Sequence, residues 1–135
     1  MKCVMVIDQN LQLGMIANTA AVLAISIGKE VEGIVGEDII DRDGILHRGI
    51  TNANIPILRG DAEIIRALKT RLSQNGHGEL YYVDFCDVAQ KCKDYADYTA
   101  LLAATPADEL NYLGIAICGP DKQVNSLTGS LGLLR

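Results

Sequence analysis

Residues 2–28, KCVMVIDQNLQLGMIANTAAVLAISIG, join a strand pattern to a helix pattern. The stretch begins with a short run rich in Val and Ile, which is typical of a buried β-strand. The polar residues 8–10 end this run with turn chemistry, and residues 14–27 then form an apolar helix pattern. Gly28 suits the left-handed position that follows the last helical turn. A strand joined to an apolar helix is the first unit of a layered α/β fold.

The apolar character of this helix predicts its surroundings. A helix that is apolar nearly all round is buried on two sides, so residues 14–27 should pack against the sheet and against either a second helix or a second subunit. Asn18 interrupts the apolar run, and a buried amide without partners costs about 1–3 kcal/mol. We therefore expect Asn18 either to bond a strand end or loop carbonyl, or to face a ligand.

The rest of the chain continues the alternation of strand and helix patterns. Strand patterns occupy residues 55–59, 80–86 and 112–118, and helix patterns occupy residues 62–72, 92–104 and a last segment that opens at Gly119-Pro120. Asp61 is the expected N-cap of the helix at 62–72, and Asp43-Gly44 favours the turn of a small hairpin. We predict one domain of residues 1–135, of the α/β class, with helices on both faces of a small sheet.

The acidic balance of the chain argues against a general nucleic-acid binder. The net charge is −5 and the pI is about 4.9, whereas phosphate contacts by cations supply most non-specific affinity for nucleic acids. Arg66, Lys69 and Arg71 form the only dense basic cluster in the sequence, and such a run is usually a solvated helix face. A tRNA partner is therefore disfavoured by the acidic charge.

The cysteines and the apolar runs predict the compartment. Cys3, Cys86, Cys92 and Cys118 include no CxxC pair, and three of them lie in or beside strand patterns, where small buried thiols are common. Lys2 leads straight into a strand pattern without a cleavage site, and no apolar run is long enough for a membrane span. We expect a reduced, cytoplasmic protein with no membrane partner.

No motif in the sequence predicts a cofactor or a metal. Phosphate-binding glycine loops and the GxSxG nucleophile elbow are absent. His47 and His77 stand alone in polar stretches, without a second ligand at metal spacing. We therefore predict neither a cofactor nor a bound metal.

The ends of the predicted strands carry the candidates for a site. In α/β sheets, functional residues gather at the carboxyl ends of strands. The four predicted ends carry Asp8, Arg59, Asp87 and Gly119. Asp8 most simply shapes its turn, whereas Asp87 either caps the turn after its strand or takes part in a site.

Both ends of the sequence resemble a known enzyme family. The opening VMVIDQNLQLGMIANTAAVLA is similar to the first strand and helix of type 2 peptidyl-tRNA hydrolases, and YLGIAICGPDKQVNSLTGSLGLL resembles their strand, Gly-Pro turn, helix and Thr-Gly-x-Leu-x-Leu finish. The middle, with GEDIIDRDGILHRGITNANIPIL and DYADYTALLAA, resembles the domain-of-unknown-function 2000 family, a bacterial branch of the same superfamily. The resemblance to this branch covers nearly the whole chain. The resemblance implies a peptidyl-tRNA hydrolase 2-like fold, which is a three-layer α/β/α sandwich with a four-stranded mixed sheet, and a homodimer.

The resemblance carries over only part of the hydrolase site. The family's aspartate after the third strand falls on Asp87, its helix glutamine on Asn18, and its threonine before the fourth strand on Asn111. The family's lysine and histidine have no counterpart, because residues 14–16 and Ala21 stand in those positions. The resemblance thus implies Asp87, Asn18 and Asn111 as candidate catalytic residues.

Two functions follow, and the sequence leaves both open. The missing residues favour a binding or diverged domain without the family's full catalytic set, with a small-molecule ligand between the 8–14 turn, the Asp87 loop and the Asn111 segment. The alternative is a hydrolase of peptidyl-tRNA or a related acyl ester, in which Asp87 positions or deprotonates water and the amide of Asn18 or Asn111 stabilises the oxyanion. A purely structural assembly through the first helix is a third possibility.

Overall fold

The computed structural model describes residues 1–74 and 76–135 of the chain. The strands in these residues are β1 (Lys2–Asp8), β2 (Ile39–Ile40), β3 (Leu46–His47), β4 (Ile57–Gly60), β5 (Tyr81–Cys86) and β6 (Tyr112–Gly119). The helices are α1 (Leu13–Glu30), α2 (Ala62–Leu72), α3 (Asp87–Gln90), α4 (Tyr95–Ala103) and α5 (Asp121–Thr128), with a 3-10 turn at Ala107–Glu109. The element order is that of a mixed α/β protein.

The four longer strands form one mixed sheet in the order β4-β1-β6-β5. β1 runs parallel to β4, and β6 runs antiparallel to both β1 and β5. The predicted four-stranded mixed sheet is therefore confirmed. The carboxyl ends of β1, β4 and β5 and the amino end of β6 all lie at one end of the sheet, which we call the carboxyl end.

The direction of β6 corrects one expectation about the strand ends. Gly119 closes β6 and pairs with Lys2, the first residue of β1. It therefore lies at the opposite end of the sheet from Asp8 and Asp87, so its grouping with them is wrong. An apolar run of eight residues has the same pattern in either direction, and only the pairing with β1 shows that this strand is antiparallel.

Side chains alternate between the two faces of the sheet, and helices cover both faces. On one face, Met5 of β1 belongs to a buried cluster with Leu23 of α1. On the other face, Val6 belongs to a buried cluster with Ile65 of α2 and Val124 of α5. Burying side chains of this size contributes about 1.5–3 kcal/mol each. The layers are thus α1, the sheet, and α2 with α5.

The environment of α1 differs from the expectation for an apolar helix. Thr19, Leu23 and Ile27, spaced four residues apart, are its buried residues, and the opposite face of the helix is exposed. Asn18 lies on the exposed side and therefore needs no buried partner. The prediction that this helix is buried on two sides is wrong for the single chain. Among the described helices, none is long and apolar enough to span a bilayer.

α2 has the predicted bounds because its signals are local. Asp61 accepts a hydrogen bond from the backbone N–H of Ile64 at 2.8 Å, as an N-cap does. Ile65, Leu68 and Leu72 form its buried face. The capping carboxylate and the apolar spacing are both written in the sequence, so residues 62–72 could be predicted.

The helix predicted at 92–104 begins three residues later in the structure, as α4. Asp94 accepts a hydrogen bond from the N–H of Asp97 at 2.8 Å, and this cap starts α4 at Tyr95. Residues 87–90 form the separate short helix α3. Residues 91–94 therefore separate α3 from α4.

One edge strand of the sheet is covered by the C-terminal segment, and the other is not. The C-terminal segment covers β4, because Arg59 N donates to Gly132 O and Leu134 N donates to Ile57 O, both at 2.9 Å. β5 is the other outer strand, and no described strand pairs with its outer side. An uncovered edge strand offers free backbone groups, so β5 is the accessible border of the sheet.

Gly114 of β6 provides a test of the packing between α1 and the sheet. A Cβ atom at Gly114 would lie 2.6 Å from Cγ2 of Thr19 and 3.3 Å from Cδ1 of Leu23. We expect Gly114→Ala to lower the free energy of unfolding by about 1–3 kcal/mol through overpacking. The measurement is urea denaturation followed by circular dichroism.

A second substitution makes this prediction specific. Thr19→Ser removes Cγ2 but keeps the hydroxyl that donates to Met15 O at 2.7 Å. The double variant should recover most of the loss caused by Gly114→Ala, because residues in contact are not additive. Strictly additive losses would contradict this account of the contact.

Candidate functional site

Asp87 and Asn111 lie side by side at the carboxyl end of the sheet. Asp87 N donates to Asn111 O at 3.0 Å, and Asn111 N donates to Oδ1 of Asp87 at 3.2 Å. Nζ of Lys91 lies 3.8 Å from Oδ2, and the Asp87 side chain is 28% exposed. The Asp87 carboxylate therefore joins the end of β5 to the start of β6 while keeping a solvent-accessible side. Asn111 takes part through its main chain.

Asn18 lies in the first part of α1, on the exposed side of the helix. The start of α1 contacts α3, since Nε2 of Gln90 lies 3.2 Å from Sδ of Met15. Asn18 is one helical turn further along α1 and is exposed. Within residues 1–74 and 76–135, no hydrogen bond joins it to Asp87 or Asn111. The structure thus joins two of the three candidates by hydrogen bonds, whereas Asn18 forms none with them.

Asp8 has the structural role expected of it. Its Oδ1 accepts a hydrogen bond from the N–H of Asn10 at 2.9 Å, which shapes the turn after β1. Gln9 N donates to Gly60 O at 3.0 Å, so the same turn is tied to the end of β4. Asp8 is buried, and its hydrogen bond serves the turn that leads into α1.

A groove with a volume of about 420 Å³ lies along the open edge of β5. Its floor is the strand, and its walls are α1 on one side and the α3–α4 segment on the other. The lining residues are Val22, Ser26, Val83, Asp84, Phe85, Ala89, Cys92, Lys93, Asp94, Tyr95 and Tyr98. The cleft predicted from the sequence lies between the 8–14 turn, Asp87 and Asn111. None of these residues lines the groove, so the two sites do not coincide.

The sequence held only indirect signals for this groove. Cys92 follows Cys86 by six residues in a polar stretch, and Tyr95 and Tyr98 follow at helical spacing. These residues predicted an amphipathic helix, but its position beside the β5 edge depends on the cap at Asp94. A groove formed by a strand edge and two helices is a tertiary feature, so residue patterns alone could not reveal it.

The pKa of one phenol that lines the groove is shifted, mainly by burial. Burial raises the pKa of the Tyr98 phenol, and the negative charges of neighbouring groups, including Asp84, act in the same direction. Tyr98 is therefore a neutral phenol near pH 7, able to donate a hydrogen bond. Asp84 is paired with Lys69, whose Nζ lies 2.6 Å from Oδ2.

The four thiols divide into three buried ones and one accessible one. Cys3, Cys86 and Cys118 are buried, and Cys92 is half-buried at the groove. Burial raises the pKa of Cys86 and of Cys118, which keeps these thiols protonated and unreactive. Cys92 donates to Val88 O at 3.2 Å. The predicted burial of three thiols is confirmed.

The basic cluster of α2 is largely used inside the fold. Arg66 donates to Ala107 O at 2.9 Å and to Leu110 O, and its guanidinium lies 5.5 Å from the centre of the Tyr112 ring. Burial alone would lower the pKa of Lys69, but the hydrogen bond and charge of Asp84 outweigh burial and raise it. Two of the three cations are therefore engaged in tertiary contacts rather than free for phosphates.

The described part of the chain contains no cluster of side chains suited to bind a metal ion. No group of three or more His, Cys, Asp or Glu side chains there is arranged to hold a metal ion. His47 is instead bonded to Asp41 at 2.8 Å, within the hairpin of β2 and β3.

The structure defines a small mixed α/β protein with a groove at an open sheet edge. The chain belongs to the family described as protein of unknown function DUF2000, whose pattern matches residues 1–135. This confirms the resemblance of the middle segments to that family. No curated protein matches the sequence.

A solved structure shares the fold. It is the protein of unknown function Atu0240 from Agrobacterium tumefaciens strain C58, with a TM-score of 0.83 and 18% sequence identity. The similarity covers 98% of this chain and 96% of that chain. At this level of identity the likeness concerns the fold alone.

The contacts of Arg66 lead to a prediction about α2. Arg66→Ala should lower the free energy of unfolding by about 1–2 kcal/mol, because two carbonyls lose a charged donor and Tyr112 loses its cation. Arg71→Ala is the matched control, since Arg71 is exposed in the same helix, and it should change stability by less than about 0.5 kcal/mol. Equal effects in urea denaturation would show that Arg66 is only a surface charge.

Proposed function

We propose that the protein is a small-molecule-binding domain, and that the groove beside β5 is its binding site. The proposal rests on one observation, the groove of about 420 Å³ at an open sheet edge. Its volume is in the range of small-molecule sites, and it combines apolar walls with a few polar groups. The partial loss of the hydrolase residues supports a domain of residues 1–135 that keeps a peptidyl-tRNA hydrolase 2-like fold without that family's full catalytic set.

The lining of the groove favours a small apolar carboxylic acid. Val22, Val83 and Phe85 offer apolar contact, and the neutral phenol of Tyr98 supplies a donor. Lys93 is the cation of the lining, and it forms no ion pair within the described residues. Asp84 and Asp94 also line the groove, but Asp84 is paired with Lys69 and Asp94 accepts the capping hydrogen bond of α4. Lys93 is therefore the charge left to receive the carboxylate of a ligand whose apolar body lies against the strand.

The test combines thermal shift with thiol labelling. A panel of aliphatic and aromatic carboxylic acids should include compounds that raise the melting temperature. The same compounds should slow iodoacetamide labelling of Cys92, which lines the groove, as read by peptide mass spectrometry. Native protein without ligand should be labelled mainly at Cys92, because the other three thiols are buried.

Two matched variants locate the effect. Ala89→Phe fills the groove and should abolish both responses, whereas Ala103→Phe, at an exposed position of α4 outside the lining, should leave both intact. A flat thermal response across the panel, with Cys92 labelling unchanged by every compound, would overturn the proposal.

A hydrolase of peptidyl-tRNA or a related acyl ester is the second candidate. It is favoured by the half-buried Asp87 carboxylate, which is held by Asn111 N beside the start of α1. Asp87 would position water, and the amides of Asn18 or Asn111 would stabilise the oxyanion. The engaged state of Arg66 and Lys69 weighs against a tRNA substrate, since two of the three cations of the α2 cluster are taken up by tertiary contacts and the chain is acidic overall.

Release of peptide from an N-blocked aminoacyl-tRNA tests this candidate. If Asp87 is catalytic, Asp87→Asn should reduce turnover by roughly a hundredfold or more, while Lys91→Ala should retain most of it. Turnover no higher than in buffer, beside an active control enzyme, would remove the candidate.

The resemblance further supports a homodimer in the bacterial cytoplasm.

A further inference from the structure

Residues 35–51 form an arm that is held together by its own hydrogen bonds. Asp38 accepts from Nη1 of Arg48 at 2.9 Å and from Gly49 N at 2.8 Å. At the tip, Oδ1 of Asp41 accepts from two backbone N–H groups, and Oδ2 lies 2.8 Å from Nε2 of His47. Gly44 has a φ of 81°, as the predicted Asp43-Gly44 turn requires. The arm therefore has a defined shape.

The apolar side chains of the arm face solvent. Each of its large aliphatic residues is at least 48% exposed, namely Val35, Ile39, Ile40, Ile45, Leu46 and Ile50. A two-stranded hairpin is marginally stable by itself, and a contiguous apolar patch of several hundred Å² usually marks an interaction surface. An ordered hairpin with all its large aliphatic side chains outward therefore needs a covering partner.

A second uncovered surface lies on the same side of the molecule. No charged residue occurs from Leu13 to Gly28 of α1, and Ala17, Ala21 and Ala24 lie on its exposed face. Ile25 on this face is 76% exposed. The arm begins a few residues after α1, and Ile34 at its base is buried in the cluster that α1 forms with the sheet.

The two surfaces differ in the size of their side chains. The arm presents branched aliphatic side chains, whereas the exposed face of α1 is made mostly of alanines that let another backbone approach closely. Within one chain the two do not meet, because both are exposed. A second copy of the chain can bring them together twice, as an isologous contact requires.

Charge favours the same pairing. The arm carries Glu37, Asp38, Asp41 and Asp43 against Arg42 and Arg48, and the whole chain has a net charge of −5. An acidic arm is repelled by the acidic surfaces of another copy. The uncharged face of α1 is a surface on which the arm's aliphatic residues can be buried without like-charge repulsion.

The apolar area is in the range of a small dimer interface. Successive strand residues point to opposite faces of the hairpin, so Ile40 and Leu46, which pair with each other, lie on one face and Ile39 lies on the other. At roughly 100 Å² for each exposed aliphatic side chain, one face of the arm offers about 300 Å². Leu13, Ile25 and the alanines of α1 add a patch of similar size on each copy, so the total is about 600 Å² per partner, at the lower end of specific interfaces. The apolar area is concentrated in these two surfaces.

We propose that two copies of the chain form a two-fold dimer in which the arm of each copy packs on the exposed face of α1 of the other. In this contact the aliphatic side chains of the arm pack on the alanine-rich exposed face of α1. This assigns a surface to the proposed homodimer and rests on observations other than the groove. It also accounts for a helix that is apolar all round although only one of its sides faces the sheet.

A charge-complementation experiment tests the pairing by sedimentation velocity. The wild-type chain should be a dimer at roughly 10 µM. Ala21→Glu on α1 and Ile40→Lys on the arm should each weaken the dimer at least roughly tenfold. Both changes are at exposed positions, and circular dichroism checks that each variant is folded. Ala103→Glu on α4 is the control and should remain a dimer.

Mixing the two variants decides which surfaces meet. The mixture should form a heterodimer, because one contact then pairs Glu at position 21 with Lys at position 40 and the other contact is wild type. A wild-type monomer, variants that remain dimeric, or a mixture that stays monomeric would each overturn the proposal. Cys92 labelling with the carboxylic acids is measured on the same variants, so a failure of the groove proposal is seen separately.

Discussion

The antiparallel placement of β6 between β1 and β5 is the constraint on which the rest of the structure depends. Residues 112–118 are all buried. Ile115 and Ile117 face the α2 and α5 layer, while Ala116 and Cys118 face α1. A slip of one residue would exchange the two faces, so this register fixes both helical layers at once. It also directs β5 parallel to β1, which brings Asp87 to the end of the sheet where α1 begins.

What the sequence predicts well is what neighbouring residues determine. α2 follows from the Asp61 cap and an apolar spacing, and the hairpin tip follows from Asp43-Gly44. Both signals act within a few residues of the element that they specify. The strand runs are predicted to within two residues because each is a compact apolar segment flanked by turn residues. Strand order, strand direction and helix placement depend on contacts between residues that are far apart in the sequence, so no local pattern predicts them.

The errors have the same physical origin. The apolar pattern of α1 correctly indicated a surface that avoids water, but a pattern cannot say whether the second side is covered by the same chain or by another. Gly119 was grouped with Asp87 because strand direction is invisible in an apolar run. The candidate site was only partly predictable for a related reason. Asp87 and Asn111 meet because β5 and β6 pair, whereas Asn18 depends on how α1 is rotated on the sheet, and that rotation is set by Thr19, Leu23 and Ile27.

The two proposals share α1, and this has a thermodynamic consequence. Val22 and Ser26 line the groove, while Ala21 and Ile25, their immediate neighbours in sequence, lie on the face assigned to the dimer contact. A ligand that shifts or steadies the helix alters the surface offered to the second copy. By linkage, the factor by which such a ligand changes the dimer affinity equals the factor by which dimerisation changes the ligand affinity. A helix uncharged from Leu13 to Gly28 would then serve both contacts, which explains its composition better than either contact alone.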